Sequence, residues 1–249
     1  MTLERGPLNQ SSKASSLEKQ FVLNEKEKAV IEELEQPIIH IVERLSDHIE
    51  AGDYSLILGD DASGRIPTIM VAKIIQAIYK HNGRTTPLVR FLAGGKGLDL
   101  KNEENKEHAL SLHIGRMLET MKKEKIPPGK CLIVTDTLHS GETVQSFANA
   151  LEENDMGFEV ASVGTTGSKA EEYEKLWNTR VAIGMQVVPT IDSRTDATAR
   201  ALKGVDKNRE DLFAIPGLKE EEPIASAARI YAKEIAAKIA KQYIEKHEQ

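Results

Sequence analysis

Cys131-Leu132-Ile133-Val134-Thr135-Asp136-Thr137-Leu138-His139-Ser140-Gly141-Glu142-Thr143 is the stretch on which the fold of this chain turns. Its apolar run ends at Thr135 and the carboxylate of Asp136. A short Ser-Gly-x-Thr turn follows, then an amphipathic segment from Val144 to Leu151. That order predicts a buried strand, a polar loop and a helix, with small hydrogen-bonding residues gathered at the helix N-terminus. The first N–H groups of a helix lack intrahelical partners and the helix dipole adds positive potential, so such a terminus receives phosphate. Asp136, just ahead of the loop, is suited to sugar hydroxyls or a hydrated Mg²⁺. A phosphorylated sugar is the ligand this stretch suggests.

The same rhythm repeats on both sides. Tyr54 to Leu58 reads as a strand, Gly59 to Arg65 as a polar loop, and Ile66 to Tyr79 as a helix with Pro67 in its first turn. Further strands are expected at Leu88–Leu92, Phe158–Val163 and Val181–Val188, with helices from about Lys106 to Lys123, through Leu151, and near Lys169 to Trp177. Strands alternating with helices define an α/β fold: a doubly wound, mostly parallel sheet of about five strands flanked by helices. Ligands of such sheets sit beyond the carboxyl ends of the strands.

Ahead of the sheet, Val30, Ile31, Leu34, Ile38, Ile41, Val42, Leu45 and Ile49 recur at helical spacing, which predicts an N-terminal helix kinked or divided at Pro37. Behind it, Ile191 to Gly217 is charged and irregular apart from a short helix around Asp196–Leu202. A long helix from Pro223 to about Ile244 then carries an apolar stripe expected to pack on the sheet or cover the site. Residues 1–24 read as a mobile polar tail, whose small patch at Phe21-Val22-Leu23 is a candidate to dock on the body. Residues 25–249 read as one domain, with a core of about 52–190 and a helical extension of about 191–249.

Bulk properties narrow the functions. The chain has 249 residues, only 4% of them aromatic, and a formal charge of −6. Interleaved stacking platforms and a broad basic face are therefore not expected, and neither is a nucleic-acid partner. Cys131 is the sole cysteine, so neither an intramolecular disulfide nor a cysteine zinc site can form. No apolar run approaches the ~20 residues of a membrane span, and the first residues lack the apolar centre of a signal peptide. A cytoplasmic protein is the expectation.

The segment Cys131–Thr143 resembles the diphosphate-sugar signature of the type I phosphoribosyltransferases: four apolar residues, two acids, two more positions and a small-residue turn. The order of elements from the helix before Tyr54 to the strand near Val188 agrees with that resemblance. It implies a doubly wound core with a variable hood, and transfer of ribose 5-phosphate from phosphoribosyl pyrophosphate (PRPP) to a nitrogenous base with Mg²⁺. It also implies a homodimer. Asp136 matches the second acid, which holds the ribose diol. Thr135 replaces the first acid, and its hydroxyl reaches a ribose oxygen without supplying charge. His139, Ser140, Gly141, Glu142 and Thr143 match the loop that grips the 5′-phosphate, with Glu142 at an unconstrained position facing solvent; Thr137, more polar than the family usually has at its position, is a further candidate contact to the sugar phosphate. His139 stands where some purine enzymes of the family carry an aspartate that accepts a proton from the base, which makes it a catalytic candidate beside Asp136. The plainer alternative is a loop histidine bonding phosphate or water.

Gly59-Asp60-Asp61-Ala62-Ser63-Gly64-Arg65 lies where the family places its pyrophosphate loop. Asp61, Ala62, Ser63, Gly64 and Arg65 are the candidate pyrophosphate contacts, and Asp60, Asp61 or Asp136 would reach Mg²⁺ through water. The alternative is a solvated turn with acids at a helix N-terminus. Arg90 and Lys96, the latter in Ala93-Gly94-Gly95-Lys96-Gly97, are candidates for a closing lid. Gly164-Thr165-Thr166-Gly167-Ser168 is a further small-residue loop at the same edge. The expected ligand is PRPP or a nucleoside monophosphate with a nucleobase acceptor. Two rivals stand beside that reading. One is a sensor that binds the same ligand without efficient chemistry, for which Thr135 is the best support. The other is a phosphohydrolase with Asp60 or Asp61 as nucleophile.

Overall fold

The computed structural model describes residues 22–60, 64–92, 103–167, 170–192, 197–206, 215–216 and 222–248. Five strands form its central sheet: β1 (Tyr54–Asp60), β2 (Leu88–Leu92), β3 (Lys130–Leu138), β4 (Phe158–Thr165) and β5 (Val181–Ile183). Their spatial order is β2-β1-β3-β4-β5, and every pairing is parallel. The expected α/β class is therefore the observed one.

A parallel sheet needs cover on both faces, which explains the near-continuous apolar runs of β1, β3 and β4. Ile57, Leu132, Val134, Ala161 and Val163 point to one side, where they join α1 (Glu25–Glu32), α2 (Glu35–Arg44), α3 (Ser46–Ala51) and α4 (Arg65–His81). Leu56, Leu58, Ile133, Val160 and Val181 point to the other, under α5 (Glu103–Lys123), α6 (Glu142–Glu152) and α7 (Ala170–Trp177). From β1 the chain crosses to β2 on one side and later to β3 on the other, so the order reverses between β1 and β3. That switch point opens a crevice at the carboxyl ends of the two strands.

Several local expectations are corrected. The N-terminal helix is three helices, and the first break falls at Glu33–Leu34 rather than at Pro37. Pro37 occupies the first turn of α2, where a missing N–H costs nothing. The folded body reaches back to Leu23, which is buried, and Asn24 caps α1 in a reciprocal box with Glu27. Residues 1–21 lie outside the described residues.

β3 extends past Val134 to Leu138, because Thr135, Thr137 and Leu138 keep their pairing with Ser162, Gly164 and Thr165 of β4. β5 stops at Ile183 instead of Val188. Gly184 is pressed against Pro37, where a Cβ would lie 2.6 Å from the proline ring, and Val187 and Val188 emerge exposed. The segment then crosses the end of β4 and reaches a 3₁₀ turn at Thr190–Asp192 and α8 (Ala197–Lys203). A two-stranded antiparallel ladder follows, β6 (Val205–Asp206) with β7 (Ile215–Pro216). The last helix, α9 (Glu222–His247), packs on α4, α8, α1 and α2, not on the sheet. Its buried face is rich in alanine, with Ala225 against Gly204 at the end of α8 and Ala228, Ala232, Ala236 and Ala240 following.

Candidate functional site

Asp136 is the centre of the switch-point edge. Extension of β3 makes it a strand residue, and its side chain is 2% exposed. Its Oδ1 accepts the Thr137 N–H at 2.8 Å and, more weakly, the Thr135 hydroxyl at 3.5 Å. Its Oδ2 is buried without a hydrogen-bond partner among the described residues, and so is the Thr137 hydroxyl. Burial, followed by the negative charges of Asp192 and Asp60, pushes the carboxyl up to about 8, while Lys203 pulls the other way. The carboxyl therefore keeps its proton more readily than an exposed aspartate does, and the Asp192 carboxylate is within reach as an acceptor for it. A sugar diol offers such a group both donors and acceptors.

The opposite edge of the sheet handles a buried carboxylate differently. Glu159 is 3% exposed, yet it accepts from Lys130 Nζ at 2.8 Å and from the Tyr54 hydroxyl at 2.5 Å. One buried acid is thus closed by donors of its own network, and the other has no donor to its Oδ2 among the described residues, only a second carboxyl nearby. Unsatisfied buried polar groups are rare in folded proteins and mark sites that wait for a partner.

The loop after β3 is held from behind. Gly141 caps α6 with φ +76°, a left-handed conformation that favours glycine, and no side chain caps the helix. A Cβ on Gly141 would lie 2.9 Å from Trp177 Cζ2 and 3.4 Å from Tyr173 Cε1. The Tyr173 hydroxyl donates to the His139 carbonyl at 2.8 Å, and Trp177 Nε1 donates to Gln145 Oε1 at 2.8 Å. The two rings stack at 5.1 Å. Trp177 is therefore packing behind the loop, leaving the α6 N-terminus for a ligand. Ser140 and Glu142 are exposed and Thr143 is half-buried. Tyr173→Phe removes one buried hydrogen bond and is expected to lower stability by ~1 kcal/mol, read by urea unfolding. No measurable change would mean the brace is dispensable.

His139 is half exposed. Its Nε2 lies 2.9 Å from Asp192 Oδ2, and the Asp192 side chain is only 12% exposed. Asp192 and Lys203 both come from the stretch that reads as irregular in sequence, and neither is flagged by any motif. A signal for them existed in Gly164. Glycine inside a strand marks close backbone approach, and here a Cβ would meet the Val187 carbonyl at 2.1 Å, where the Asp192-bearing segment crosses β4.

On the β1 side, Asp60 ends the strand and its carbonyl accepts the Gly64 N–H at 2.8 Å. A Cβ on Gly64 would lie 2.8 Å from the Val134 carbonyl and 3.0 Å from the Asp60 carbonyl, so the α4 N-terminus is wedged between β1 and β3. Arg65 opens α4 with its guanidinium 4.9 Å from the centre of the Phe91 ring. Asp61, Ala62 and Ser63 lie outside the described residues, as do Lys96 and Ser168. Arg90 is exposed in mid-β2, donating to the Val89 carbonyl at 2.9 Å, and is not brought to the site by the described structure. The Thr165 and Thr166 hydroxyls donate to the Leu138 carbonyl at 3.3 and 3.4 Å. These two threonines tie β3 to β4. A surface groove between α4 and α9, lined by Lys73, His81 and Lys241 among others, sits at the far end of α4 from these residues.

Among the described residues, no group of three or more His, Cys, Asp or Glu side chains could hold a metal ion. No helix among them is long and apolar enough to cross a membrane.

Fold and site together define a doubly wound α/β protein with a polar site at the β1/β3 switch point. No protein-family model matches the chain, and no curated protein matches it. Among solved structures it is similar to the crystal structure of orotate phosphoribosyltransferase from Aeropyrum pernix. That likeness has 12% identity and a TM-score of 0.36, over 60% of this chain and 69% of that one.

Proposed function

We propose that this chain binds a ribose 5-phosphate group, presented as PRPP or a nucleoside monophosphate, and transfers it between pyrophosphate and a nitrogenous base. The observation that carries this reading is Asp136. It is a buried carboxyl with an unsatisfied oxygen, one strand-end away from a glycine-led helix N-terminus that no side chain caps. In this reading the phosphate lies on the amides and hydroxyls of Ser140–Thr143, and the ribose diol meets Asp136 with help from Thr135. Pyrophosphate lies toward Gly64 and Arg65. The bond from the anomeric carbon to pyrophosphate breaks, and its electron pair leaves with the oxygen. A base nitrogen forms the new bond, and its proton passes to the bare nitrogen of His139.

A Mg²⁺ ion fits the donor set only in its common form, through one or two carboxylates, waters and substrate phosphates rather than a protein cage. Asp60 beside Asp136 is such a set. Bound there, the ion would neutralise charge on the departing pyrophosphate.

A thermal-shift panel of PRPP, pyrophosphate and nucleoside monophosphates, each with and without Mg²⁺, tests the proposal. PRPP or one monophosphate at ~100 times its dissociation constant should stabilise the protein by ~2.7 kcal/mol, and Asp136→Ala should abolish the shift. A panel flat for every ligand sinks the proposal. Should PRPP bind with no base consumed, the sensor reading wins. In that case Thr135→Asp, which restores a second acid, is the variant to assay for gain of transfer.

A further inference from the structure

We infer that Asp192 is a positioning residue for His139: its carboxylate takes the Nε2–H of the imidazole and leaves Nδ1 as the bare acceptor. The pair is separated by 53 positions in sequence, so it exists only because the segment after β5 returns to the end of β3.

Each partner is held independently. The Gly184 and Met185 N–H groups donate to the Ser162 and Val163 carbonyls at 2.9 and 2.8 Å, which prolongs the attachment of this segment to β4. Val187 lies directly over Gly164, and the Thr190 N–H reaches the Glu33 carboxylate at 3.2 and 3.3 Å. Ile191 is fully buried, and the Asp192 N–H closes the 3₁₀ turn on the Pro189 carbonyl at 3.0 Å. On the other side, the Tyr173 hydroxyl fixes the His139 carbonyl.

A loop histidine that merely met phosphate or water would need no acid at Nε2. Here the acid is shielded while the ring is half exposed, so the ring's remaining nitrogen is the one left to meet a ligand. Among the described residues Nδ1 has no partner. An imidazolium formed on proton uptake would be stabilised by the Asp192 carboxylate it already touches, as in other His–Asp pairs. Asp192 also faces the Asp136 carboxyl, which lies within hydrogen-bonding reach of it, and Asp136 in turn feels Asp60 and Lys203. The role in transfer rests on the function proposed above; the positioning itself does not.

The test is a long-range proton–nitrogen NMR correlation of the imidazoles, well above their ordinary pKa of ~6.5, with His139→Gln identifying the signal. The wild type should show a single Nε2–H form, with a resolved Nε2 proton protected from exchange. Asp192→Ala should lose that proton to exchange. Asp192→Asn, whose amide can donate to Nε2, should shift the ring toward Nδ1–H. A wild type lacking the protected proton, or the same spectrum in all three, overturns the inference; if a variant fails to fold, the wild-type proton alone decides. With PRPP and an accepted base, Asp192→Asn should lower kcat roughly 10²- to 10⁴-fold while KM for PRPP changes little. Correct tautomers in a wild type that ribosylates no base would end the proposed transfer and leave the positioning intact.

Discussion

Asp136→Asn is expected to make the ligand-free protein more stable than its parent in alkaline buffer, although it removes the residue at the centre of the proposed binding. The sign follows from the raised carboxyl. Folded, it titrates near 8, chiefly because burial disfavours the charged form and next because Asp192 is close; unfolded, it returns to ~3.9. The folded chain therefore holds a proton that the unfolded chain has released. The stability tied to that proton is complete below about pH 4 and drains away as the pH rises through about 8. The loss accumulates across the interval between the two values, because there the unfolded chain has released a proton that the folded chain keeps. An amide of the same shape cannot ionise and escapes that loss. Urea unfolding from about pH 5 to about pH 9 should show a falling curve for the parent and a flatter one for the variant, crossing as the carboxyl titrates. Parallel curves would mean that Asp136 is ionised in the folded protein. Binding should move the opposite way, weakening roughly 10-fold as the carboxyl's hydrogen bonds to the ligand are replaced by those of an amide.

Gly164→Ala should be strongly damaging for the addition of a single methyl group. Its Cβ would lie 2.1 Å from the Val187 carbonyl oxygen and 2.7 Å from Pro189 Cδ. Neither neighbour is a flexible side chain that can swing aside, so either β4 or the crossing segment must shift, at roughly 2–4 kcal/mol. The displacement would travel to Asp192, only a few residues on, so the protected Nε2 proton of His139 should be lost as well. Gly157→Ala is the control, since a Cβ there meets nothing closer than 3.9 Å and should cost little. Equal melting curves for the two variants would show that the crossing segment yields freely.

The parts of the fold legible in sequence were those written in local pattern. β1, β3 and β4 announce themselves because a parallel sheet buries both faces and needs near-continuous apolar runs, whereas edge strand β2 shows only a short one interrupted by Arg90. The Val181–Val188 run misleads for the same reason, since Val187 and Val188 are apolar but exposed where the chain leaves the sheet. Pro37 misleads in another way: proline breaks a helix interior but is welcome in a first turn, and spacing alone does not say which. Of the site, Asp136, His139 and the Ser140–Thr143 turn were visible because strand, loop and helix terminus are contiguous. Asp192 and Lys203 were not, because nothing in their own neighbourhood shows that a crossing at Gly164 returns them to β3. The identity of His139's partner is a long-range fact, and composition and periodicity report only short-range ones.

Trp177 is the chain's sole tryptophan, and its indole lies against the glycine that begins α6. Emission from this protein therefore comes from one ring in contact with the turn proposed to hold phosphate, over a background of five tyrosines. The molecule carries its own optical reporter, so occupancy of that turn can be followed by fluorescence in the unlabelled, unmutated protein.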